Sequence, residues 1–178
     1  MLEQLGIAYA IGGSLASSSY GRVRFTQGAD IAVEPFAGQA ERFLDLVKGG
    51  FYVSREAMYQ ALDRRGSFNI IHLESAFKID LFIRGDTEFE RGVLARRRAV
   101  RLFHGQDRLV WFVSPEDIVL LKLRRHREGG EISDRQCQDV LGVLMVQGQD
   151  LDYGYLKASA GDLGLAELLE KALSQARE

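Results

Sequence analysis

The sequence has little that suits an extracellular or membrane environment. Its 178 residues contain one cysteine, Cys137, so no intramolecular disulfide can form. The first residues, Met1 to Gln4, do not begin a secretory signal. No apolar run approaches the roughly 20 residues that a membrane-spanning helix needs. We therefore expect a cytoplasmic protein that does not interact with membranes.

The sequence also lacks a large excess of either positive or negative charge. The chain has 23 Lys and Arg against 25 Asp and Glu, a net charge of −2. A surface with this balance is not built as a whole to bind nucleic acid. Two arginine runs could still form an RNA-binding patch, although a solvated face is the preferred interpretation. These arginines are Arg96, Arg97, Arg98 and Arg101 in one run and Arg124, Arg125 and Arg127 in the other.

The first signal of function lies near the start of the chain. An apolar run, Ile7 to Ile11, predicts a short buried strand, and Gly12 and Gly13 break it. Small residues from Ser14 onward predict the start of a helix. Unpaired N–H groups and the helix dipole favour an anion at such a place. Gly12, Gly13 and Ser14 are therefore candidate phosphate-binding residues, and the alternative is an ordinary tight turn.

Two predicted strands each carry an aspartate among apolar residues. Asp30 lies in Ala29 to Val33, and Asp80 lies in Phe77 to Ile83. Aspartate is disfavoured in strands and costly near a core, so a bound metal ion is one explanation. Magnesium prefers such carboxylate oxygens. The alternatives are ordinary ion pairs, with Arg22 or Arg24 for Asp30 and with Lys78 or Lys122 for Asp80.

These motifs together resemble the nucleotidyltransferase superfold, the polymerase-beta-like group. More narrowly, they resemble small bacterial proteins grouped with the AbiEii-type toxins. The family pattern is Gly followed by Gly or Ser, a gap, then Asp, an apolar residue, and Asp or Glu. Here Gly13-Ser14 is followed by 13 residues, and Gly28-Ala29-Asp30 occupies the acidic slot. Gly28 thus stands where the family has its first metal aspartate.

Further motifs extend the resemblance over nearly the whole chain. Arg24 and Thr26 match the Arg-x-Thr that often precedes the acidic slot, and Lys78 to Phe82 match the context of the family's third carboxylate. Downstream, the same subgroup's pattern is matched by Ser-Pro-Glu-Asp at 114–117, by Lys122, and by Asp134-Arg135-Gln136 with Asp139.

The resemblance implies transfer of a nucleoside monophosphate from an NTP to an RNA or protein acceptor. Asp30 and Asp80 would bind Mg²⁺ or Mn²⁺, weakly because Gly28 lacks a carboxylate. The nucleotide-binding set would be Gly12, Gly13, Ser14, Arg24 and Thr26, with Lys122 as a further catalytic residue. A toxin–antitoxin role, with an antitoxin or another protein as partner, is also implied.

Some of these residues have simpler interpretations. Arg24 could be a plain surface arginine. Arg135 and Asp139 could brace Lys122, but a helical i,i+4 ion pair between them is preferred. Cys137 is predicted to be inert core.

The order of elements predicts an α/β (α+β) fold. Residues 1–113 alternate strands and helices and should form a mixed sheet flanked by helices, the nucleotidyltransferase-like core. Residues 114–178 are mostly helical and should form a bundle packed on that core. The rival function is a catalytically degraded member of the same fold that binds a nucleotide or a protein, and Gly28 is its main support. A plain nucleic-acid-binding module is disfavoured by the charge.

Overall fold

The computed structural model describes residues 1–101 and 109–177. The chain divides into two compact units. The first unit comprises Met1–Gly12 and Thr26–Phe112, and the second comprises Gly13–Phe25 and Val113–Glu178. The second boundary lies beside the expected one at 113/114. The segment 13–25, which we expected in the sheet-containing core, groups instead with the C-terminal helices. The sequence His104-Gly105-Gln106-Asp107 predicts a turn, and these residues lie outside the described ranges.

The strands of the described residues all lie in the first unit and form one mixed sheet. Its order is β3-β4-β5-β2-β1-β7-β6, with parallel pairing of β1 with β7 and of β2 with β5, and antiparallel pairing elsewhere. The strands are β1 (Tyr9–Ile11), β2 (Gly28–Val33), β3 (Phe51–Val53), β4 (Ser67–His72), β5 (Lys78–Ile83), β6 (Arg98–Arg101) and β7 (Leu109–Phe112).

The α-helices of the described residues are divided between the two units. Those in the first unit are α2 (Ala40–Val47), α3 (Arg55–Arg64) and α4 (Glu88–Ala95). Those in the second unit are α1 (Gly13–Tyr20), α5 (Pro115–Glu128), α6 (Asp134–Gln147), α7 (Tyr153–Asp162) and α8 (Ala166–Gln175). No helix in the described ranges combines the length and apolarity of a membrane span.

The helix starts follow the capping signals, with one exception. Ser54 accepts a hydrogen bond from the Ala57 N–H, and Ser114 accepts one from the Asp117 N–H. These bonds satisfy backbone donors that have no partner inside the helix. Ser133, with Gln136 three residues later, has the sequence pattern of a capping box, but it caps α6 without any side-chain hydrogen bond.

One face of the sheet forms the core of the first unit. Strand residues that share this face, such as Val33 and Leu81, pack against apolar residues of α2 and α3, such as Phe43 and Met58. Successive side chains on a strand point to opposite faces. Burying the odd-numbered residues of β2 and β5 therefore leaves Asp30 and Asp80 on the other face.

The second unit has a helical core of its own. Leu120 of α5, Val143 of α6 and Leu156 of α7 are among its fully or almost fully buried residues. Helix α1 packs against α6, and the chain after α1 passes very close to that helix. A Cβ added at Gly21 would lie 2.7 Å from the Gly142 carbonyl carbon, so this approach requires glycine. This close approach, just after α1, thus helps to hold segment 13–25 in the helical unit.

Candidate functional site

Within the first unit, the sheet brings the two predicted metal ligands side by side. Asp30 on β2 and Asp80 on β5 are direct partners in the parallel register. Adjacent strands lie about 4.8 Å apart, and partners in register project to the same face. Both residues are partly exposed. Two carboxylates on neighbouring strands, open on one side, have the donor chemistry that a hard divalent cation prefers.

Lys78 changes the charge of this face. Its Nζ lies 3.1 Å from Oδ1 of Asp80, so one of the ion pairs considered for Asp80 forms. The Lys78 side chain is 51% exposed and that of Asp80 31%, so the pair is well hydrated and contributes little to stability. The ammonium offsets part of the negative charge that would attract a cation.

Position 28 is closed to a side chain. Gly28 pairs with Lys78 in the register, and a Cβ built on Gly28 would lie 2.9 Å from the Lys78 carbonyl oxygen. That separation is shorter than real Cβ contacts, so a family-type aspartate would require β2 and β5 to move. Gly28 is absent from the residues with positive φ. The glycine is therefore required by space and not by backbone conformation.

The carboxylates present fit one divalent ion better than two. Among the described residues, no group of three or more His, Cys, Asp or Glu side chains is arranged to hold a metal. Glu34, directly after β2, accepts a hydrogen bond of 2.9 Å from the N–H of Ala8, the residue before β1. Asp30 and Asp80 would hold one ion, with water completing its shell.

The glycine turn has the predicted form. β1 ends at Ile11, α1 begins at Gly13, and Gly13 adopts a φ of 56°. That left-handed conformation favours glycine. Ser14 lies in the first turn of α1, where backbone N–H groups lack helical partners. In the first unit, the Gly12 N–H donates to the Asp30 carbonyl over 2.8 Å, and the Thr26 hydroxyl donates to the Gly28 carbonyl over 3.0 Å.

Within the second unit, four predicted or considered residues form one bonded group, which we call the Asp139 cluster. It consists of Ser14, Arg24, Lys122 and Asp139. Arg24 binds Asp139 through two parallel hydrogen bonds, Nε to Oδ1 at 2.8 Å and Nη2 to Oδ2 at 3.0 Å. Lys122 Nζ donates to Oδ2 at 2.5 Å. Arg24 Nη2 also donates to the Ser14 hydroxyl oxygen.

The cluster is buried to different depths. The side chains of Asp139 and Lys122 are only 5% and 7% exposed, while that of Arg24 is 28% exposed. Burial would raise the pKa of Asp139, but the hydrogen bonds from Arg24 and Lys122 outweigh it and hold this pKa below its usual value. Two cations around one carboxylate leave the cluster with a net positive charge, which suits an anion.

The cluster overturns one preferred interpretation. We expected Asp139 to pair with Arg135 four residues earlier. Arg135 is exposed, and within the described residues no ion pair joins it to Asp139. Asp139 points into the second unit, where Arg24 and Lys122 supply a stronger, desolvated set of donors. Arg24 is correspondingly no plain surface arginine. Sequence spacing could not reveal this pairing, because Arg24 and Asp139 are 115 positions apart.

Two arginines of the predicted basic runs have structural partners. In the first unit, the Arg97 guanidinium lies 4.7 Å from the centre of the Trp111 ring. In the second unit, Arg127 donates to the Gly164 carbonyl over 2.6 Å and to the Leu163 carbonyl over 3.0 Å. These contacts support a structural use of the arginines rather than an RNA patch.

Cys137 is less enclosed than predicted. It is partly exposed, and its Sγ lies 3.5 Å from Nε2 of the buried His126. Both residues line a cavity of about 30 Å³, enough for one or two water molecules. Burial raises the pKa of the Cys137 thiol, which fits the predicted lack of reactivity.

The fold is similar to that of solved nucleotidyltransferase-like structures. One is described as an antigenic nucleotidyltransferase-like protein from Paracoccidioides brasiliensis, with a TM-score of 0.52, 15% identity, and coverage of 97% of this chain and 87% of that one. Another is the antibiotic-resistance factor ANT(2'')-Ia, with a TM-score of 0.57, 13% identity, and coverage of 96% and 90%. No protein-family model matches the sequence. A comparison with curated protein sequences finds no match.

The structure therefore confirms the predicted fold class, a mixed sheet flanked by helices of the nucleotidyltransferase type. At these identities the similarity establishes the fold alone. The narrower relationship to the AbiEii-type toxins, and the roles of individual residues, stay predictions.

Proposed function

We propose that this protein transfers a nucleoside monophosphate from an NTP to a hydroxyl of an RNA or protein acceptor, with Mg²⁺ or Mn²⁺. The observation that carries the proposal is the pairing of Asp30 with Asp80 on adjacent strands of this fold. Carboxylates are costly on strands unless they have a task, and a metal ion gives both residues the same task.

For the first unit, we assign Asp30 and Asp80 as ligands of one divalent ion. When bound there, the ion would neutralise triphosphate charge and help to activate the attacking oxygen. Strands hold the two carboxylates at a fixed spacing, which favours a preorganised site. Because Gly28 contributes no ligand and Lys78 offsets the charge, we expect weak metal affinity.

For the second unit, we assign Ser14, with the first turn of α1, to phosphate binding. Gly13, with its φ of 56°, gives the backbone its shape there, and Gly12, the last residue of the first segment of the first unit, stays a proposed phosphate-binding residue. Arg24 and Lys122 would supply positive charge for the phosphate oxygens, with Lys122 acting from a buried position. In the first unit, Thr26 stays a proposed nucleotide-binding residue, and its bond to the Gly28 carbonyl supports a role in positioning Gly28 as well.

The biological setting is a further part of the proposal. The downstream motifs support a relationship to the AbiEii-type toxins, and hence a cytoplasmic toxin–antitoxin protein with an antitoxin as partner. This relationship is supported by the Ser-Pro-Glu-Asp motif at 114–117, by Lys122, and by the segment from Asp134 to Asp139.

A separate observation, at Gly28, supports a second candidate function. The 2.9 Å distance between the Lys78 carbonyl oxygen and a Cβ built at position 28 means that the paired strands leave no room for a side chain there. This supports a protein that keeps the fold and a nucleotide or protein partner but no longer catalyses transfer.

Calorimetric titration of the four NTPs, with and without Mn²⁺, tests the proposed site. The wild type should bind an NTP in a metal-dependent manner, and Asp30→Asn should remove the metal dependence. Asp63→Asn, an exposed aspartate on α3, is the matched control and should behave as the wild type. Absence of binding by every NTP would contradict nucleotide use altogether. Binding that Asp30→Asn leaves unchanged would contradict the assigned metal site.

A further inference from the structure

The Ser14 hydroxyl has a defined hydrogen-bonding state. Its oxygen accepts a hydrogen bond from Nη2 of Arg24. A serine hydroxyl has one hydrogen to donate and two lone pairs to accept with. Since Arg24 occupies an acceptor position, the Ser14 hydrogen must point elsewhere. Within residues 1–101 and 109–177, no hydrogen bond donated by this hydroxyl is found. The arrangement thus leaves Ser14 able to donate to an anion.

Asp139 determines where the Arg24 guanidinium lies. The two parallel bonds from Nε and Nη2 fix both the position and the plane of the group. The same Nη2 atom also donates to the Ser14 hydroxyl oxygen. Fixing the guanidinium on Asp139 therefore also fixes the direction of its hydrogen bond to Ser14. Lys122 binds Oδ2 of Asp139 from the buried side and holds the carboxylate in turn.

We propose that Asp139 is a positioning residue for phosphate recognition, acting through Arg24 on Ser14. Asp139 orients Arg24, Arg24 occupies a lone pair of Ser14, and Ser14 is thereby committed to donate its hydrogen to a phosphate oxygen. Asp139 itself, 5% exposed and fully engaged, touches no phosphate. This inference rests on the proposed function, in which the Ser14 turn binds the phosphates of an NTP.

The test measures the dissociation constants of ATP, GTP, CTP and UTP with Mn²⁺ for a set of variants. Asp139→Asn should weaken binding about tenfold, the loss expected for one charge-assisted hydrogen bond. Asp139→Glu keeps the negative charge and should restore part of that loss. Asp45→Asn removes the carboxylate of an exposed ion pair with Lys48 and should change nothing. Melting temperatures of all variants are recorded alongside.

A second variant covers the case in which Asp139→Asn does not fold. Arg24→Lys keeps the charge at a partly exposed position but cannot bind Asp139 with two parallel bonds and Ser14 at once. It should weaken NTP binding as much as Ser14→Ala does. In the double variant, the two losses should not add, because both substitutions remove the same interaction.

The outcomes separate this inference from the proposed function. If the wild type binds an NTP but Arg24→Lys and a folded Asp139→Asn bind it equally well, Asp139 is only structural and the inference is wrong. Additive losses for Ser14→Ala and Arg24→Lys would also contradict it. If the wild type binds no NTP, the proposed function and this inference are both wrong. If Asp30→Asn removes the metal dependence of binding while the Arg24 and Asp139 variants bind as the wild type does, the proposed function is supported and this inference is wrong.

Discussion

Gly28 is the residue at which the chain departs most from the pattern that it resembles. A glycine in place of a metal ligand suggests that one carboxylate was simply lost and that Gly28→Asp would restore the metal site. The close Lys78 carbonyl shows instead that the strands, as they are paired, leave no room for that side chain.

We predict that Gly28→Ala and Gly28→Asp both destabilise the protein, by about 1–3 kcal/mol, because either Cβ crowds the Lys78 carbonyl. Urea unfolding measures this loss. Gly28→Asp alone should then increase Mn²⁺ affinity, with Gly28→Ala as the control for the strain. Unchanged stability of Gly28→Ala would show that the strands separate freely and would contradict the spatial argument.

Asp139 gives the second residue-scale prediction, a dependence of stability on pH. Its pKa is lowered in the folded state, so its contribution is fully present above the unfolded value of about 3.9 and is lost as the pH falls through the folded value. The free energy of unfolding of the wild type should therefore fall more steeply with acid than that of Asp139→Asn.

Urea unfolding from about pH 6 to about pH 2 checks this prediction. Asp63→Asn serves as the control, and its curve should run parallel to that of the wild type. Parallel curves for the wild type and Asp139→Asn would show that the Arg24 and Lys122 bonds do not stabilise the ionised carboxylate.

At the scale of elements, helix starts and sheet strands were predictable because their signals are local. Ser114 before Pro115 and the alternation around Asp80 fix their elements within a few residues. The placement of α1 was not predictable, since it depends on the close approach of Gly21 to Gly142, far along the chain. Likewise, the Asp30–Asp80 pairing needed the parallel register, which strand patterns alone do not define.

The start of α5 offers a prediction at this scale. Ser114 is buried, accepts from the Asp117 N–H and donates to the Asp117 carboxylate over 3.0 Å. Ser114→Ala should lower the free energy of unfolding by about 1–2 kcal/mol, because the Asp117 N–H loses its acceptor and the buried Asp117 carboxylate loses a donor. Ser54→Ala, at the exposed start of α3, should cost less. Urea unfolding compares the two, and an equal or larger loss for Ser54→Ala would contradict the assigned role of burial.

For the whole molecule, the fold class predicted from the sequence is confirmed, while the roles of the candidate site residues stay predictions. The glycine turn and the two aspartates are short motifs that are read directly. The Asp139 cluster is formed by residues from three distant segments, so only the folded chain brings its charges together. Motif spacing could therefore propose Lys122 and Asp139 but not the bond between them.

The central claim is transfer of a nucleoside monophosphate, and the most direct measurement follows the α-phosphate. The protein is incubated with cellular RNA and protein, Mg²⁺, and each NTP labelled at either the α- or the γ-phosphate. We predict that α-label becomes attached to an acceptor, that γ-label does not, and that Asp80→Asn removes the signal while Asp63→Asn keeps it. No attachment of α-label from any NTP, or equal attachment with Asp80→Asn, would contradict the claim.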